Sequence, residues 1–93
     1  MNLRALIVDD DSSWQGIISE LLTDNGFDVD TASTVDEAIA ALKSNPHRLA
    51  VVDLSLSVSD HHNQDGLRVL DAIRHLDPAC RAILLTGFAT VEV

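Results

Sequence analysis

The sequence lacks the features that mark secreted, membrane and nucleic-acid-binding proteins. It has one cysteine, Cys80, so it can form no internal disulfide and no cysteine-based zinc motif. Only 6 basic residues stand against 15 acidic ones, and the net charge of −9 disfavours direct binding to nucleic acid. No apolar run approaches the ~20 residues of a membrane span, and the run at 5–8 is too short for a signal peptide. We therefore expect a cytoplasmic protein whose acids suit a divalent cation or a basic protein surface.

Short apolar runs alternate with helical patterns along the chain. Strands are predicted at 4–9, 27–32, 49–55 and 82–86. The run at 49–55 is apolar on both faces, as in a central parallel strand, and it contains the carboxylate of Asp53. Strands that alternate with helices indicate right-handed βαβ units. The predicted fold class is therefore α/β, a doubly wound parallel sheet.

Two helices are predicted in the first half of the chain. The first begins at Ser12 or Ser13, carries Trp14 in its core-facing stripe and ends near Asn25-Gly26. The second opens with a capping box at Thr34 and ends at Asn45-Pro46. Both helices have the length that a βαβ crossover needs.

The second half is less regular. Residues Ser57–Gln64 are polar and aperiodic, so we expect a loop there, with His61-His62 as a solvated pair. A third helix is predicted from about Asp65-Gly66. Its apolar positions are Leu67, Leu70, Ile73 and Leu76. Thr90 has the pattern of an N-cap for a further helix.

Polar residues end three of the predicted strands. Asp9 and Asp10 follow the first strand, Asp53 lies near the end of the third, and Thr86 ends the fourth. The carboxyl ends of parallel strands share one edge of a sheet, where ligands bind in folds of this class. Two carboxylates ~4 Å apart repel by about 4 kcal/mol at a dielectric constant of ~20. A hard cation would relieve that repulsion, and an all-oxygen site with few ligands favours Mg²⁺.

Simpler interpretations of the same acids stay open. Asp10 and Asp11 could serve only as favourable charges in the first turn of the first helix. Asp53 could cap the turn that follows its strand. The convergence of acids from two strands favours a cation-binding site over these simpler interpretations.

Four segments of the chain, in order, resemble the receiver domain of two-component response regulators. They are Ile7-Val8-Asp9-Asp10-Asp11, Val51-Val52-Asp53-Leu54, Asp65-Gly66-Leu67 and Leu84-Leu85-Thr86-Gly87-Phe88-Ala89. The resemblance implies a flavodoxin-like sheet with strand order 2-1-3-4 and a single receiver domain over residues 1–93. It also implies a phosphoacceptor module that works with a histidine kinase or phosphotransfer protein.

The resemblance assigns a role to each residue at the sheet edge. Asp53 would accept the phosphoryl group. Asp10, Asp53 and the backbone carbonyl of Ser55 would hold Mg²⁺, with Asp9 acting through water. Thr86 would be the switch residue. No enzymatic activity is expected beyond self-catalysed phosphotransfer and autodephosphorylation.

The sequence also departs from the family pattern. The family's catalytic lysine, fifth strand and last two helices have no counterpart in residues 1–93, so we expect a receiver shortened at its C-terminal end. Strand four would then have an open edge and the first helix would lose a neighbour. A homodimer through the fourth-strand edge is the expected consequence.

Two other functions stay open. A receiver-like fragment could act only in binding or oligomerisation. An aspartate-nucleophile phosphatase would also place Asp53 after a strand, but Ser55 occupies the position of that class's second acid.

Overall fold

The chain folds around one five-stranded sheet with strand order β2-β1-β3-β4-β5. The computed structural model describes residues 3–9, 11–53, 60–85 and 90–92, with the backbone alone for 60–66 and 90–92. The strands are β1 (Arg4–Val8), β2 (Asp28–Ala32), β3 (Leu49–Asp53), β4 (Arg81–Leu85) and β5 (Thr90–Glu92). The helices are α1 (Ser12–Asp24), α2 (Val35–Ser44) and α3 (Asp60–Leu76).

The parallel part of the sheet has the predicted order 2-1-3-4. β1 pairs with β2 on one side and β3 on the other, and β3 pairs with β4. The two central strands are buried on both faces, since Leu6 and Ile7 of β1 and Ala50 and Val52 of β3 are all 0% exposed. This confirms the α/β parallel sheet that the apolar runs predicted and the flavodoxin-like strand order that the family resemblance implied.

The main hydrophobic core lies between the sheet and helices α2 and α3. Its buried members are Leu6, Val8, Ala32, Ala38, Leu42, Ala50, Val52, Val69, Ile73, Cys80, Ala82 and Leu84. α3 contributes Val69 and Ile73, one helical turn apart, whereas Leu67 is 55% exposed and Leu76 is 43% exposed. The predicted apolar stripe of this helix was therefore only partly right.

Helix α1 contributes no fully buried residue. The predicted core position of Trp14 is wrong, because Trp14 is 50% exposed, and Ile17 and Leu21 are 58% and 61% exposed. The half-buried positions of α1 are 15, 18, 19 and 22, and two of these four residues are polar. The expected exposure of apolar surface on this helix is thus confirmed.

The helix caps agree with the sequence at α2 and differ at α1. Thr34 accepts a hydrogen bond from the Glu37 N–H, as the capping box predicted. The N-cap of α1 is Asp11, whose carboxylate accepts from the N–H of Ser13 at 2.9 Å, so the choice of Ser12 or Ser13 was wrong. Gly26 follows α1 with φ of 90°, a conformation that favours glycine.

α3 begins earlier than predicted. Its first residue is Asp60, so the backbone at His61-His62 is helical. The predicted loop is therefore wrong over 60–64, and the predicted helix start at Asp65-Gly66 is wrong as well, whereas residues 57–59 of that loop lie outside the described residues. Hydrophobic periodicity needs apolar residues to indicate a helix, and residues 60–66 are all polar or glycine. The polar stretch contains neither proline nor glycine before Gly66 that would oppose a helix.

The sheet gains a strand that the sequence did not predict. β5 runs antiparallel to β4, with Leu85 opposite Thr90 and Ile83 opposite Glu92. Thr90 therefore starts a strand and is not a helix N-cap, and the β4 edge is paired where an open edge was expected. The β-branched pair Thr90-Val91 favours a strand. Dimerisation through the β4 edge accordingly loses its structural basis.

Cys80 lies in the core where β4 begins. Burial, followed by the nearby Asp77 carboxylate, raises the pKa of the Cys80 thiol from 9.0 to about 12. The thiol is therefore protonated and unreactive at neutral pH. Among the described residues, no helix combines the length and apolar character needed to cross a membrane.

Candidate functional site

Two buried acids lie side by side at the carboxyl edge of the sheet. The register pairs Val8 of β1 with Val52 of β3, so one step further along each strand brings Asp9 beside Asp53. Neighbouring strands lie about 4.8 Å apart, which sets the spacing of these two backbones. Asp9 is 1% exposed and Asp53 is 7% exposed. The convergence predicted from the ends of the first and third strands is therefore present for these two residues.

The peptide around Asp9 is fixed from two sides. The Asp9 N–H donates to the carbonyl of Ala32 at 3.0 Å, which extends the β1–β2 pairing by one residue. Its Oδ1 accepts the Asp11 N–H at 2.9 Å. The Asp9 side chain is thus oriented by its own local backbone, and it starts the turn that leads into α1.

Gln15 connects α1 to this edge through contacts that were not predicted from the sequence. Its side-chain amide donates to the carbonyl of Ala32 at 3.0 Å, to Ser33 Oγ at 3.2 Å and to the carbonyl of Asp9. An amide with two N–H donors can serve several acceptors that converge in this way. The one available signal was a polar residue at position 15, on the same face of α1 as the half-buried positions 18, 19 and 22.

The donor set at this edge fits a hard cation. Two ionised carboxylates ~5 Å apart would repel by about 3 kcal/mol at a dielectric constant of ~20, and a divalent cation between them would reverse that cost. Both ligand groups are oxygens, as Mg²⁺ prefers. Within the described ranges, no group of three or more His, Cys, Asp or Glu residues could hold a metal ion. Asp9 and Asp53 on their own therefore fall short of a complete metal site.

The other predicted site residues, Asp10, Ser55 and Thr86, lie outside the described residues. β4 ends at Leu85, which is the register partner of Asp53, so the described part of β4 leads directly to the predicted switch position.

A second polar cluster, missed from the sequence, lies at the opposite end of the sheet. His47 precedes β3 and is 1% exposed, and its Nε2 lies 2.7 Å from Asp30 Oδ2. Arg4 Nη1 donates to the same carboxylate at 3.2 Å. Through these two contacts Asp30 links β1, β2 and the segment before β3. The sequence offers one weak signal, a lone histidine next to Pro46.

Comparison with known proteins identifies the family. Residues 5–93 match the family described as "Response regulator receiver domain". The chain belongs to this family. The acid tolerance regulatory protein ActR of Rhizobium meliloti (strain 1021) is 38% identical over 86 residues, which are 92% of this chain and 42% of ActR. The receiver domain thus spans less than half the length of this curated relative.

Solved structures agree with the receiver fold. A response regulator protein from Burkholderia pseudomallei, crystallised with a phosphorylated aspartic acid, calcium ion and citrate, has a TM-score of 0.81 and 27% identity, with coverage of 95% of this chain and 49% of that one. TrrA from Thermotoga maritima, in complex with Mg(2+)-BeF, has a TM-score of 0.75 and 29% identity, with coverage of 96% and 72%. These neighbours hold divalent cations, and one holds a phosphoaspartate.

Family membership gives the general function. Receiver domains of response regulators are signalling modules of two-component systems, and the relatives support a phosphoacceptor module here. The resemblance drawn from the four sequence segments is confirmed. The family alone does not assign the residues that accept the phosphoryl group and hold the cation.

Proposed function

We propose that this receiver domain takes a phosphoryl group from a phosphohistidine onto Asp53, in a cytoplasmic two-component pathway. The observation that carries the proposal is the position of Asp53, the last residue of the central strand β3, buried and beside Asp9. Its partner would be a histidine kinase or a phosphotransfer protein. Residues 1–93 would act as one receiver unit.

Asp53 would act as a nucleophile. Its carboxylate oxygen attacks the phosphorus, the P–N bond to the donor imidazole breaks, and an aspartyl phosphate forms. The donor nitrogen then takes up a proton from water. Burial at the sheet edge keeps competing water away from the acyl phosphate, which would otherwise hydrolyse.

Mg²⁺ would be held by Asp53, Asp10 and the carbonyl of Ser55, with Asp9 acting through water. When bound, the cation neutralises charge that develops on the transferring phosphoryl group. Asp9 is held in place for this role by the Asp11 N–H and by the backbone bond to Ala32. Thr86 would sense the phosphoryl group and carry the signal outward.

The test is phosphorylation by acetyl phosphate with and without Mg²⁺, read by intact-protein mass spectrometry. The wild-type chain should gain the mass of one phosphoryl group in Mg²⁺ and none in EDTA, and D53N should gain none. D28N, which changes an exposed acid at the start of β2, is the matched control and should load normally.

Each alternative function has its own outcome in this assay. A module that only binds or oligomerises would not load in Mg²⁺, which would refute the proposal. An aspartate-nucleophile phosphatase would turn over p-nitrophenyl phosphate many times without accumulating phosphoprotein, whereas the receiver should accumulate as phosphoprotein and release product only as slowly as its aspartyl phosphate hydrolyses. Loading of D53N to the wild-type level would also overturn the assignment of Asp53.

A further inference from the structure

Helix α1 is attached to the carboxyl edge of the sheet through the side chain of Gln15. Its amide donates to the carbonyl of Ala32 at 3.0 Å, to Ser33 Oγ at 3.2 Å and to the carbonyl of Asp9. Asp9 follows the last residue of β1, and Ala32 is the last residue of β2. One side chain of α1 therefore contacts the ends of two neighbouring strands.

The partners of this amide determine its orientation. Carbonyl oxygens only accept hydrogen bonds, so the carbonyls of Asp9 and Ala32 require the N–H groups of Gln15 to face them. The backbone of Gln15 is fixed as well, since its N–H donates to the Asp11 carbonyl at 3.0 Å as the first hydrogen bond of α1. Gln15 therefore joins the turn after β1 to the first turn of the helix.

Asp9 is held through three of its polar groups. Its N–H donates to the Ala32 carbonyl, its Oδ1 accepts the Asp11 N–H at 2.9 Å, and its carbonyl accepts the Gln15 amide. The first two contacts are made by backbone groups of the partner residues. The third depends on a side chain, so a single substitution can remove it and leave the other two in place.

Apolar packing of α1 gives little support to this edge. None of the 13 residues of α1, all within the described part of the chain, is buried. Trp14, Ile17 and Leu21 are 50%, 58% and 61% exposed. A helix with so little buried apolar surface is held only loosely by packing, so the polar contacts of Gln15 matter for where α1 lies relative to the acids.

We propose that Gln15 is a positioning residue for the acidic site, because it fixes the peptide of Asp9 and so keeps the Asp9 carboxylate beside Asp53. The inference rests on the proposed function, in which these two acids work together with Mg²⁺. Groups that orient the ligands of a metal typically change its affinity by about ten- to a hundredfold. Gln15 acts through the backbone of Asp9, so we expect an effect of about tenfold, at the lower end of that range.

The first measurement is NMR of the chain labelled with ¹⁵N and ¹³C, in metal-free buffer. The side-chain nitrogen of Gln15 should show couplings across its hydrogen bonds to the carbonyl carbons of Asp9 and Ala32. In Q15M, which has a similar shape and no N–H donor, the backbone signals of Asp9 should shift and report greater mobility. S19A, which truncates a half-buried polar residue one turn further along the same face of α1, is the matched control and should leave the Asp9 signals in place.

The second measurement is the Mg²⁺ affinity, from a titration followed by the backbone amide signals of Asp9 and Asp53. Q15M should bind Mg²⁺ about tenfold more weakly than the wild type, whereas S19A should bind as the wild type does. V69A lowers stability through the core and leaves Gln15 intact, so it should also keep the wild-type affinity. An equal loss of affinity in V69A and Q15M would show general destabilisation and would overturn the proposal.

The proposal is also overturned if Q15M binds Mg²⁺ as tightly as the wild type, or if its Asp9 signals match those of S19A. The proposed function has a separate readout, the loading of the wild-type chain at Asp53 by acetyl phosphate. A wild-type chain that binds Mg²⁺ and does not load would refute phosphoryl transfer, and weaker Mg²⁺ binding by Q15M would still support the role of Gln15. A wild-type chain that loads, with both measurements unchanged in Q15M, would refute only the role of Gln15.

Discussion

Replacing Asp30 with alanine should destabilise the fold by about 2 kcal/mol. Asp30 is the hydrogen-bond partner of the buried Nε2 of His47 at 2.7 Å, and leaving such a buried polar group unpaired costs about 1–3 kcal/mol. The Arg4–Asp30 ion pair adds little, at most ~0.5 kcal/mol after screening, because the two side chains are 33% and 29% exposed. The total free energy of unfolding of a chain of 93 residues is about 5–14 kcal/mol. The loss is therefore a substantial part of the stability.

Urea unfolding, monitored by far-UV circular dichroism, measures this loss of stability. In a thermal unfolding experiment the melting temperature should fall by roughly 8–16 °C. The matched control is D28A, since Asp28 is an exposed acid on the same strand whose removal should cost less than about 0.5 kcal/mol. The free energies of unfolding of D30A and D28A should differ by more than about 0.5 kcal/mol, the usual limit for surface substitutions. A smaller difference would show that the link between Asp30 and His47 does not stabilise the protein, and the reasoning would fail.

Three further predictions concern stability. V69A removes a core side chain that is 1% exposed and should cost about 2 kcal/mol in urea unfolding, whereas an equal loss in L67A, at 55% exposure, would contradict the observed orientation of α3. T34A removes the acceptor for the Glu37 N–H and should lower the free energy of unfolding by about 1 kcal/mol. T34S keeps a hydroxyl at this position and should retain most of the stability. A loss in T34S as large as that in T34A would argue against capping. Because the pKa of Cys80 rises from 9.0 to about 12 on folding, its protonated form stabilises the folded state below pH 9, and that contribution is lost as the pH rises toward 12. The decline should be absent from C80A, and a wild-type profile that matches C80A would refute it.

The sequence was a good guide wherever burial was uniform. The apolar runs at the centres of β1 and β3 predicted both strands, because a strand covered on both faces cannot show alternation. The edge that joins Asp9 and Asp53 followed from parallel pairing alone, since parallel strands bring their carboxyl ends together. Thr34 was found because its capping box is a local signal.

The features that were missed depend on contacts distant in sequence. His47 and Asp30 are 17 residues apart, and nothing local to either residue indicates the pair. Gln15 reaches the carbonyl of Ala32, also 17 residues away. The start of α3 and the reversal into β5 were missed for a different reason, because polar helix turns and three-residue strands carry little hydrophobic periodicity.

The half-exposed position of Trp14 on α1 has a practical consequence. It is the only tryptophan of the chain, and its indole already meets water in the folded state. Its emission should change little when urea opens the structure, so fluorescence would underreport denaturation. Any molecule that settles on the flank formed with Ile17 and Leu21 would exclude that water and move the emission to shorter wavelength. The chain thus carries its own optical reporter for whatever touches its first helix.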